Sequence, residues 1–239
     1  MTFSVRGLIA RVPHRDKIAI LLKLSCIVVG LTFVGLMMAV VLYKWVPVER
    51  TLFMKDQAEK VGAAKIEQTW VPIEQISPEL ARAVMAAEDN RFPSHNGFEW
   101  DAIKRAYQMN KKGKSVHGAS TISQQTAKNV FLWNGRSWIR KGTEVLVTVM
   151  IEVIWGKERI MEVYLNVVEQ GKGVFGAEAS ARKFFKKSAK KLTRHEAALM
   201  AVVLPNPIKM RIDKPSEYVY KRQAQIVALM PKLGKIELK

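Results

Sequence analysis

The chain has 239 residues, of which 49% are hydrophobic and 25% are charged, and its formal net charge is +18. This length fits one large domain or two small ones, and the apolar fraction is too high for a disordered basic tail. The single cysteine, Cys26, excludes an intramolecular disulfide, and four histidines without an HExxH motif argue against a zinc enzyme. A globular enzyme, a nucleic-acid-binding protein and a membrane protein remain open.

The N-terminal region contains a predicted membrane span. No charged residue occurs between Lys23 and Lys44, so residues 24–43 form one uncharged stretch. As a helix, this stretch is about 30 Å long, which is the thickness of a bilayer core. A core helix normally carries a polar stripe, whereas this one has only Ser25 and Thr32. We therefore predict a single transmembrane helix over residues 24–43, with a cleaved signal peptide as the alternative.

The charges beside the span predict its orientation. Residues 1–23 carry five basic residues and one acidic residue, and the positive-inside rule places such a tail in the cytoplasm. The rest of the chain is then expected to lie outside the cytoplasm. Setting aside the six basic residues and one acidic residue before residue 49 lowers the net charge from +18 only to +13. Such a surface attracts anionic lipid and lipid-linked phosphates, and nucleic acid is not an expected partner outside the cytoplasm.

After residues 44–64, interpreted as a stalk, the chain is predicted to be mainly helical. Ser77-Pro78-Glu79 is typical of a helix start. Two capping-box patterns, Thr121–Gln124 and Thr193–Glu196, predict two further starts. No run of alternating strands appears, so we expect a mainly α fold with at most a small sheet or hairpin. A long helix is predicted between Ser137 and Gly156, with a buried stripe made of Val145, Leu146, Val149, Met150, Val153 and Ile154.

Three segments carry residue types that suit catalysis. Glu88–Gly97 places a carboxylate at the end of a helix, where partial burial raises its pKa and makes it a usable base. Gly118–Asn129 joins small residues and hydroxyls to a helix N-terminus that can bind an anion, and it includes a lysine. Arg136–Glu144 combines cations with one acid. From spacing alone, each segment also fits an ordinary solvated or capped helix end.

Together these segments resemble the glycosyltransferase domain of peptidoglycan polymerases in its monofunctional form, a domain also found in class A penicillin-binding proteins. The family patterns E-D-x-x-F-x-x-H-x-G and G-x-S-T-I-x-Q-Q-x-x-K-N match at residues 88–97 and 118–129. R-K-x-x-E matches at 140–144, and K-x-x-I-L-E-x-Y-L-N matches at 157–166 with Met161 in place of leucine. Four long motifs in the same order are far more specific than any single short match.

The resemblance implies a mainly α, lysozyme-like large lobe with a smaller membrane-associated lobe, preceded by one N-terminal transmembrane helix. It covers roughly residues 65–210, and we assign 65–239 to the glycosyltransferase domain. One element departs from the family, because a Tyr-Phe-Gly-Lys sequence reads Phe-Phe-Lys-Lys here and puts Lys186 where the family has glycine. Four apolar residues would belong to the smaller lobe, with a place in the core as the alternative: Phe131, Leu132, Trp133 and Trp138.

The resemblance also implies an activity, the polymerisation of lipid II into linear β-1,4-linked glycan strands. Lipid II is a disaccharide-pentapeptide on undecaprenyl pyrophosphate, and the 4-hydroxyl of an acceptor would attack the anomeric carbon of the donor chain with inversion. Glu88 would be the general base, and Glu144 the second acid and a candidate ligand for Mg²⁺ or Mn²⁺. The other matching positions are the pyrophosphate cations Lys128, Arg136 and Lys141 and the cleft residues Ser120, Gln124, Gln125, Tyr164 and Asn166.

The same resemblance implies partners and an inhibitor. Lipid II, the growing glycan chain and membrane lipid are expected partners, together with other proteins of cell-wall synthesis or division. The phosphoglycolipid moenomycin is expected to bind the donor cleft. The chain has no K-T-G or S-D-N motif, so no transpeptidase activity is expected.

Two alternatives remain open from the sequence. A membrane-anchored lytic enzyme would also use a glutamate, but it needs an acid to protonate the leaving oxygen. A departing pyrophosphate instead needs cations, so the abundant lysine and arginine around the motifs favour transfer from a phosphate-linked donor. The second alternative is a scaffold without catalytic activity.

Overall fold

From His14, where the described part of the chain begins, the N-terminal region forms one long helix. The chain divides into two units, residues 1–42 and residues 43–239, and the first contains α1 (His14–Leu42). Within it, Ile18–Leu42 is long and apolar enough to cross a membrane, and only 6% of its most apolar window is buried, unlike a core helix. The prediction of one N-terminal helix of membrane-spanning length is confirmed, and the helix itself begins at His14, before the uncharged stretch. The computed structural model describes residues 14–111, 120–135, 137–234 and 238.

The second unit is mainly α-helical and has one small sheet, as predicted. Its three strands pair in the order β1-β3-β2, with β1 parallel and β2 antiparallel to β3. The described helices of this unit are α2 (Leu52–Lys60), α3 (Pro78–Glu88), α4 (Trp100–Lys111), α5 (Ile122–Phe131), α6 (Trp138–Ile154), α7 (Gly156–Val167), α8 (Ala177–Ser180), α9 (Arg194–Val203) and α10 (Glu217–Leu229). The strands are β1 (Glu67–Gln68), β2 (Glu169–Gly171) and β3 (Val174–Phe175). Short 3₁₀ turns occupy Ile73–Gln75, Ala189–Lys191 and Met230–Leu233, and a π-helical turn occupies Ala181–Phe185.

The caps of the helices confirm the predicted starts. Thr121 and Thr193 each form both hydrogen bonds of a capping box, at the beginning of α5 and of α9. Pro78 lies in the first turn of α3, as expected. Ser77, however, does not cap α3 with its side chain, because its hydroxyl donates to the carbonyl oxygen of Leu192 at 2.9 Å. This bond ties the beginning of α3 to the segment before α9.

Residues 44–64, expected to form a stalk, are part of the second unit. α2 lies in this stretch and is capped by Thr51, whose side-chain oxygen accepts a hydrogen bond from the Met54 amide at 3.2 Å. Met54 has no exposed surface, and α2 packs against α5. The compact unit therefore begins earlier than residue 65, because apolar residues of this segment contribute to its core.

The apolar residues of α6 do not form one buried stripe. Met150 is buried as predicted, but Val145, Leu146, Val149 and Val153 are between 41% and 80% exposed. The prediction is wrong for these four residues because helical periodicity reveals an apolar face without revealing what covers it. The buried side of α6 is formed by Glu144, Val147, Thr148, Met150 and Ile151.

Lys186 has a backbone conformation that favours glycine. It follows the π-helical turn with φ 59° and ψ 30°, in the left-handed region. A non-glycine residue in this region is less stable than glycine by roughly 1–2 kcal/mol. The departure from the family pattern at this position therefore leaves the turn in place but adds strain.

Replacing Lys186 with glycine is expected to stabilise the protein. The gain in the free energy of unfolding should be about 1 kcal/mol, since relief of strain is partly offset by the greater freedom of glycine in the unfolded chain. This corresponds to a rise in Tm of about 2–4 °C for a domain of this size, measurable by thermal unfolding in detergent. Lys186→Ala is the control, because it removes the side chain and keeps the strain. An equal rise in Tm for both variants would contradict the explanation.

Candidate active site

Residues from four parts of the chain line one groove in the second unit. The groove has a volume of about 250 Å³ and contains two carboxylates and one ammonium group. Six of the ten site residues predicted from the sequence lie in it. The lining residues are Glu88 at the end of α3, Ser120, Gln124, Gln125 and Lys128 at or on α5, Glu144 on α6, and Leu204 and Pro205 after α9.

A short chain of hydrogen bonds orients Glu88. The side-chain amide of Gln125 donates from Nε2 to Oε2 of Glu88 at 2.8 Å. The hydroxyl of Tyr164, a side chain with no exposed surface, donates to Oε1 of Gln125 at 3.1 Å. Because the hydroxyl of Tyr164 is hydrogen-bonded to the amide oxygen of Gln125, the NH₂ group of that amide must face the carboxylate of Glu88. The second carboxylate oxygen of Glu88 makes no hydrogen bond to the described part of the chain, so it is available to a substrate.

Burial changes the pKa of the acid and of the cation in opposite directions. Desolvation raises the pKa of Glu88 above its ordinary value of 4.5, although the hydrogen bond from Gln125 and the charge of Lys128 lower it. Desolvation also lowers the pKa of Lys128, while the carboxylate of Glu144 raises it. Burial raises the pKa of Tyr164 well above its ordinary value, which keeps the phenol protonated and able to donate. A carboxylate with a raised pKa is suited to act as a general base.

Glu144 holds two cations beside the groove. It is 3% exposed, and its Oε2 accepts a hydrogen bond from Nη1 of Arg140 at 2.8 Å. Its Oε1 accepts a hydrogen bond from Nζ of Lys141. Lys128 lies across the lining on α5, with its Nζ 4.9 Å from the ring centroid of Phe53. The three cations and Glu144 together form a positively charged edge of the groove.

Asp89, the buried residue next to Glu88, supports the site from outside the groove lining, and the sequence reasoning left it without a role. Its Oδ2 accepts hydrogen bonds from the Ile122 amide at 3.1 Å and from Nε2 of His95 at 2.9 Å. Nδ1 of His95 in turn accepts a hydrogen bond from the Gly97 amide at 3.0 Å. These bonds connect the loop after Glu88 to the first turn of α5, where an acid is favourable. The preference of acids for helix N-termini is the signal that could have pointed to this contact.

Three of the predicted site residues that the structure describes do not line the groove. Tyr164 lies behind Gln125, and Lys141 lies beside Glu144 with a partly exposed side chain. Asn166 differs from its expected place in the cleft, because its side chain donates to the Val71 carbonyl at 2.9 Å and accepts from the Val71 amide at 3.0 Å. It therefore connects α7 to the segment before α3. Arg136, Gly118 and Ala119 lie outside the described residues.

The groove does not fit the expected role of Glu144 as a ligand for Mg²⁺ or Mn²⁺. Both oxygens of Glu144 already accept hydrogen bonds from cationic side chains, which would repel a divalent cation. Within the described ranges, no group of three or more His, Cys, Asp or Glu side chains is placed to hold a metal ion. The described residues therefore do not form a site made only of these protein ligands.

The second unit places a carboxylate beside cationic side chains in one groove, and the chain also carries a helix long and apolar enough to cross a membrane. A family profile described as Transglycosylase matches residues 55–231. A biosynthetic peptidoglycan transglycosylase of Mannheimia succiniciproducens is 51% identical, over 84% of this chain and 85% of its own length. Proteins of the same name from Pasteurella multocida and Shewanella oneidensis are 50% and 48% identical, over 84% and 90% of this chain and 83% and 93% of their own lengths. The chain therefore belongs to the transglycosylase family, which confirms the resemblance found in its motifs.

Removing the hydroxyl of Tyr164 tests the orientation of Gln125. Tyr164→Phe is expected to lower kcat with lipid II by about tenfold with little change in KM, because the freed amide can turn its oxygen toward Glu88. The kinetics of glycosyl transfer by the purified full-length protein measure both constants. Tyr218→Phe, at a tyrosine that is 62% exposed, is the control and should behave as wild type. An increase in KM with an unchanged kcat would argue against this role.

The pH profile of kcat/KM tests the environment of Glu88. A general base acts only when ionised, so activity should fall as the pH decreases through a pKa above 4.5. Gln125→Met removes the hydrogen bond that lowers this pKa, so the acidic limb should move to higher pH. Gln75→Met changes an exposed glutamine elsewhere and should leave the limb in place. An acidic limb that stays fixed in Gln125→Met would show that it reports another group.

Proposed function

We propose that this protein is a peptidoglycan glycosyltransferase that polymerises lipid II into linear β-1,4-linked glycan strands. The observation that carries the proposal is the single groove shared by Glu88, Lys128 and Glu144. A carboxylate with a raised pKa beside cations suits deprotonation of a sugar hydroxyl and departure of an anionic phosphate. The relatives' name, biosynthetic peptidoglycan transglycosylase, supports synthesis over cell-wall cleavage.

Glu88 is the general base in this proposal. Its carboxylate takes the proton from the 4-hydroxyl of the acceptor lipid II, and the oxygen attacks the anomeric carbon of the donor chain. The bond between that carbon and the pyrophosphate oxygen breaks, and its electron pair leaves with the undecaprenyl pyrophosphate. Attack from the side opposite the leaving group inverts the anomeric centre. A positioned base contributes about 10²–10⁴ to the rate of such a step.

The cations of the groove are assigned to the leaving pyrophosphate. The pyrophosphate departs as an anion, so it needs positive charge more than a proton donor. Lys128 provides this charge, and the carboxylate of Glu144 favours its charged form by raising its pKa. Glu144 also holds Lys141 and Arg140 at the same edge. Arg136 remains a predicted pyrophosphate ligand on the strength of the motif alone.

We also infer a membrane contact for the second unit. Along α6 and the loop before it, Trp133, Trp138, Ile139 and Val153 are 45%, 92%, 79% and 80% exposed, whereas Leu132 is 1% exposed. Large exposed apolar groups of this kind are typical of membrane or protein contacts, and tryptophan favours the bilayer interface. This face would correspond to the smaller membrane-associated lobe that the family resemblance implies.

The proposed location is the inner membrane, with a cytoplasmic N-terminus and a periplasmic catalytic unit. The basic tail before the span supports this orientation through the positive-inside rule. A lipid-linked substrate supports the membrane location, because anchoring confines enzyme and substrate to the same surface. The association with other cell-wall synthesis or division proteins stays an expectation from the family resemblance.

Polymerisation of labelled lipid II by the purified full-length protein tests the function. Glu88→Gln is expected to reduce the rate by at least about 10²-fold, because the acceptor loses its base, while lipid II still binds. Glu158→Gln is the matched control, since this glutamate is exposed on α7 away from the groove lining, and it should retain activity.

The two alternatives give different results in the same experiment. A lytic enzyme would release soluble muropeptides from preformed cell-wall sacculi and form no polymer from lipid II. A scaffold would support growth equally well with glutamine at position 88. Near-normal turnover by Glu88→Gln would remove the role assigned to Glu88.

A further inference from the structure

The ammonium group of Lys128 contacts an aromatic ring that lies outside the groove lining. Its Nζ is 4.9 Å from the ring centroid of Phe53, within the distance of about 6 Å at which an aromatic face attracts a cation. Among the residues that the structure describes, this ammonium group forms no ion pair and no hydrogen bond. Lys141, at the same edge of the groove, instead donates a hydrogen bond to Glu144. The ring of Phe53 is therefore the contact that orients the end of Lys128.

The position of Phe53 is set by the residues on both sides of it. Phe53 is the second residue of α2 and is half-buried. Thr51 caps this helix by accepting a hydrogen bond from the amide of Met54, whose side chain has no exposed surface. Before the helix, the carbonyl oxygen of the buried Val48 accepts a hydrogen bond from Nε2 of Gln68 at 3.0 Å. These contacts fix the start of α2 in the second unit, and with it the place of the ring.

An aromatic ring suits a lysine that has to bind an anion. The lysine side chain has a flexible four-carbon stem, which must be ordered before its ammonium group can bind a phosphate. A carboxylate partner would order the stem, but it would accept hydrogen bonds from the ammonium group and repel the incoming phosphate. An aromatic face attracts the charge without a carboxylate, so the N–H donors of Lys128 stay available to phosphate oxygens.

We propose that Phe53 is a positioning residue, which holds the ammonium group of Lys128 in place for the pyrophosphate of the donor. The proposal rests on the proposed function, in which Lys128 provides charge for the leaving group. Phe53 does not line the groove, so it acts through Lys128 and does not touch the substrate. It also lies before the four motifs and before residue 55, where the match to the family profile begins. A segment expected to be a stalk thus contributes to the site.

Phenylalanine analogues with fluorinated rings at position 53 test this contact in the full-length protein. Each fluorine atom withdraws electrons from the ring face and weakens its attraction for a cation, while the shape of the side chain changes little. With one, two and three fluorine atoms, kcat/KM for polymerisation of lipid II should fall stepwise, by about three- to tenfold in total. The same analogues at Phe185, a half-buried phenylalanine outside the groove lining, are the control and should leave kcat/KM unchanged.

Two ordinary substitutions separate the ring from its packing. Phe53→Leu keeps an apolar side chain but has no aromatic face, so its loss of kcat/KM should be at least as large as that of the analogue with three fluorine atoms. Phe53→Tyr keeps the aromatic face and should restore kcat/KM to near the wild-type value.

The possible failures can be told apart. If kcat/KM does not depend on the number of fluorine atoms, the proposal is overturned, and a loss seen only in Phe53→Leu would then assign Phe53 to packing. In either case, normal polymer formation by the wild-type protein leaves the proposed function intact. A wild-type protein that forms no polymer from lipid II would instead refute the proposed function.

Discussion

The hydrogen bond from Gln125 to Glu88 is the contact on which the geometry of the site depends. It joins the end of α3 to α5, and the buried hydroxyl of Tyr164 extends the connection to α7. Three helices therefore converge on one carboxylate. Asp89 adds a second connection between the same region and α5 through the Ile122 amide, so both the side chain of Glu88 and the residue after it are tied to α5. Rigid elements of this kind position a catalytic group better than a free loop does.

Glu88 and Lys128 carry opposite charges in the groove, and each shifts the pKa of the other toward its charged form. Burial disfavours the ionised forms of both Glu88 and Lys128, and each charge partly restores the other. A pyrophosphate bound at Lys128 would add negative charge near Glu88. Because a like charge raises the pKa of a carboxylate, the donor itself would make Glu88 a stronger base. Binding of the leaving group and activation of the acceptor would thus be coupled by electrostatics without movement of the protein.

The features predicted most accurately from the sequence are those that short-range interactions determine. The capping boxes at Thr121 and Thr193 are local patterns, and both form as expected. Motif spacing also brought Glu88 and five other predicted residues to one groove. It did not separate groove residues from scaffold residues, since Asn166 belongs to a motif but bonds to the backbone of Val71, far away in the chain. Contacts between distant segments depend on tertiary packing, which the periodicity of a sequence does not encode. The packing of residues 44–64, which were expected to form a stalk, is one such contact.

The two faces of α6 link the chemistry to the membrane. At 3.6 residues per turn, Val153 lies about 180° around the helix from Glu144, and Val145 and Val149 lie on the same outer half as Val153. Glu144 is buried at the groove, and the valines are exposed. If the valine face contacts lipid, as proposed, the cations held by Glu144 lie about one helix diameter, 10–12 Å, from that contact. The headgroup region, in which a lipid-linked pyrophosphate lies, is about 5–8 Å thick on each side of the hydrocarbon, so these cations would lie near its outer edge. With the proposed lipid contact, the apolar face that the sequence analysis assigned to the core would set the depth of the groove relative to the bilayer.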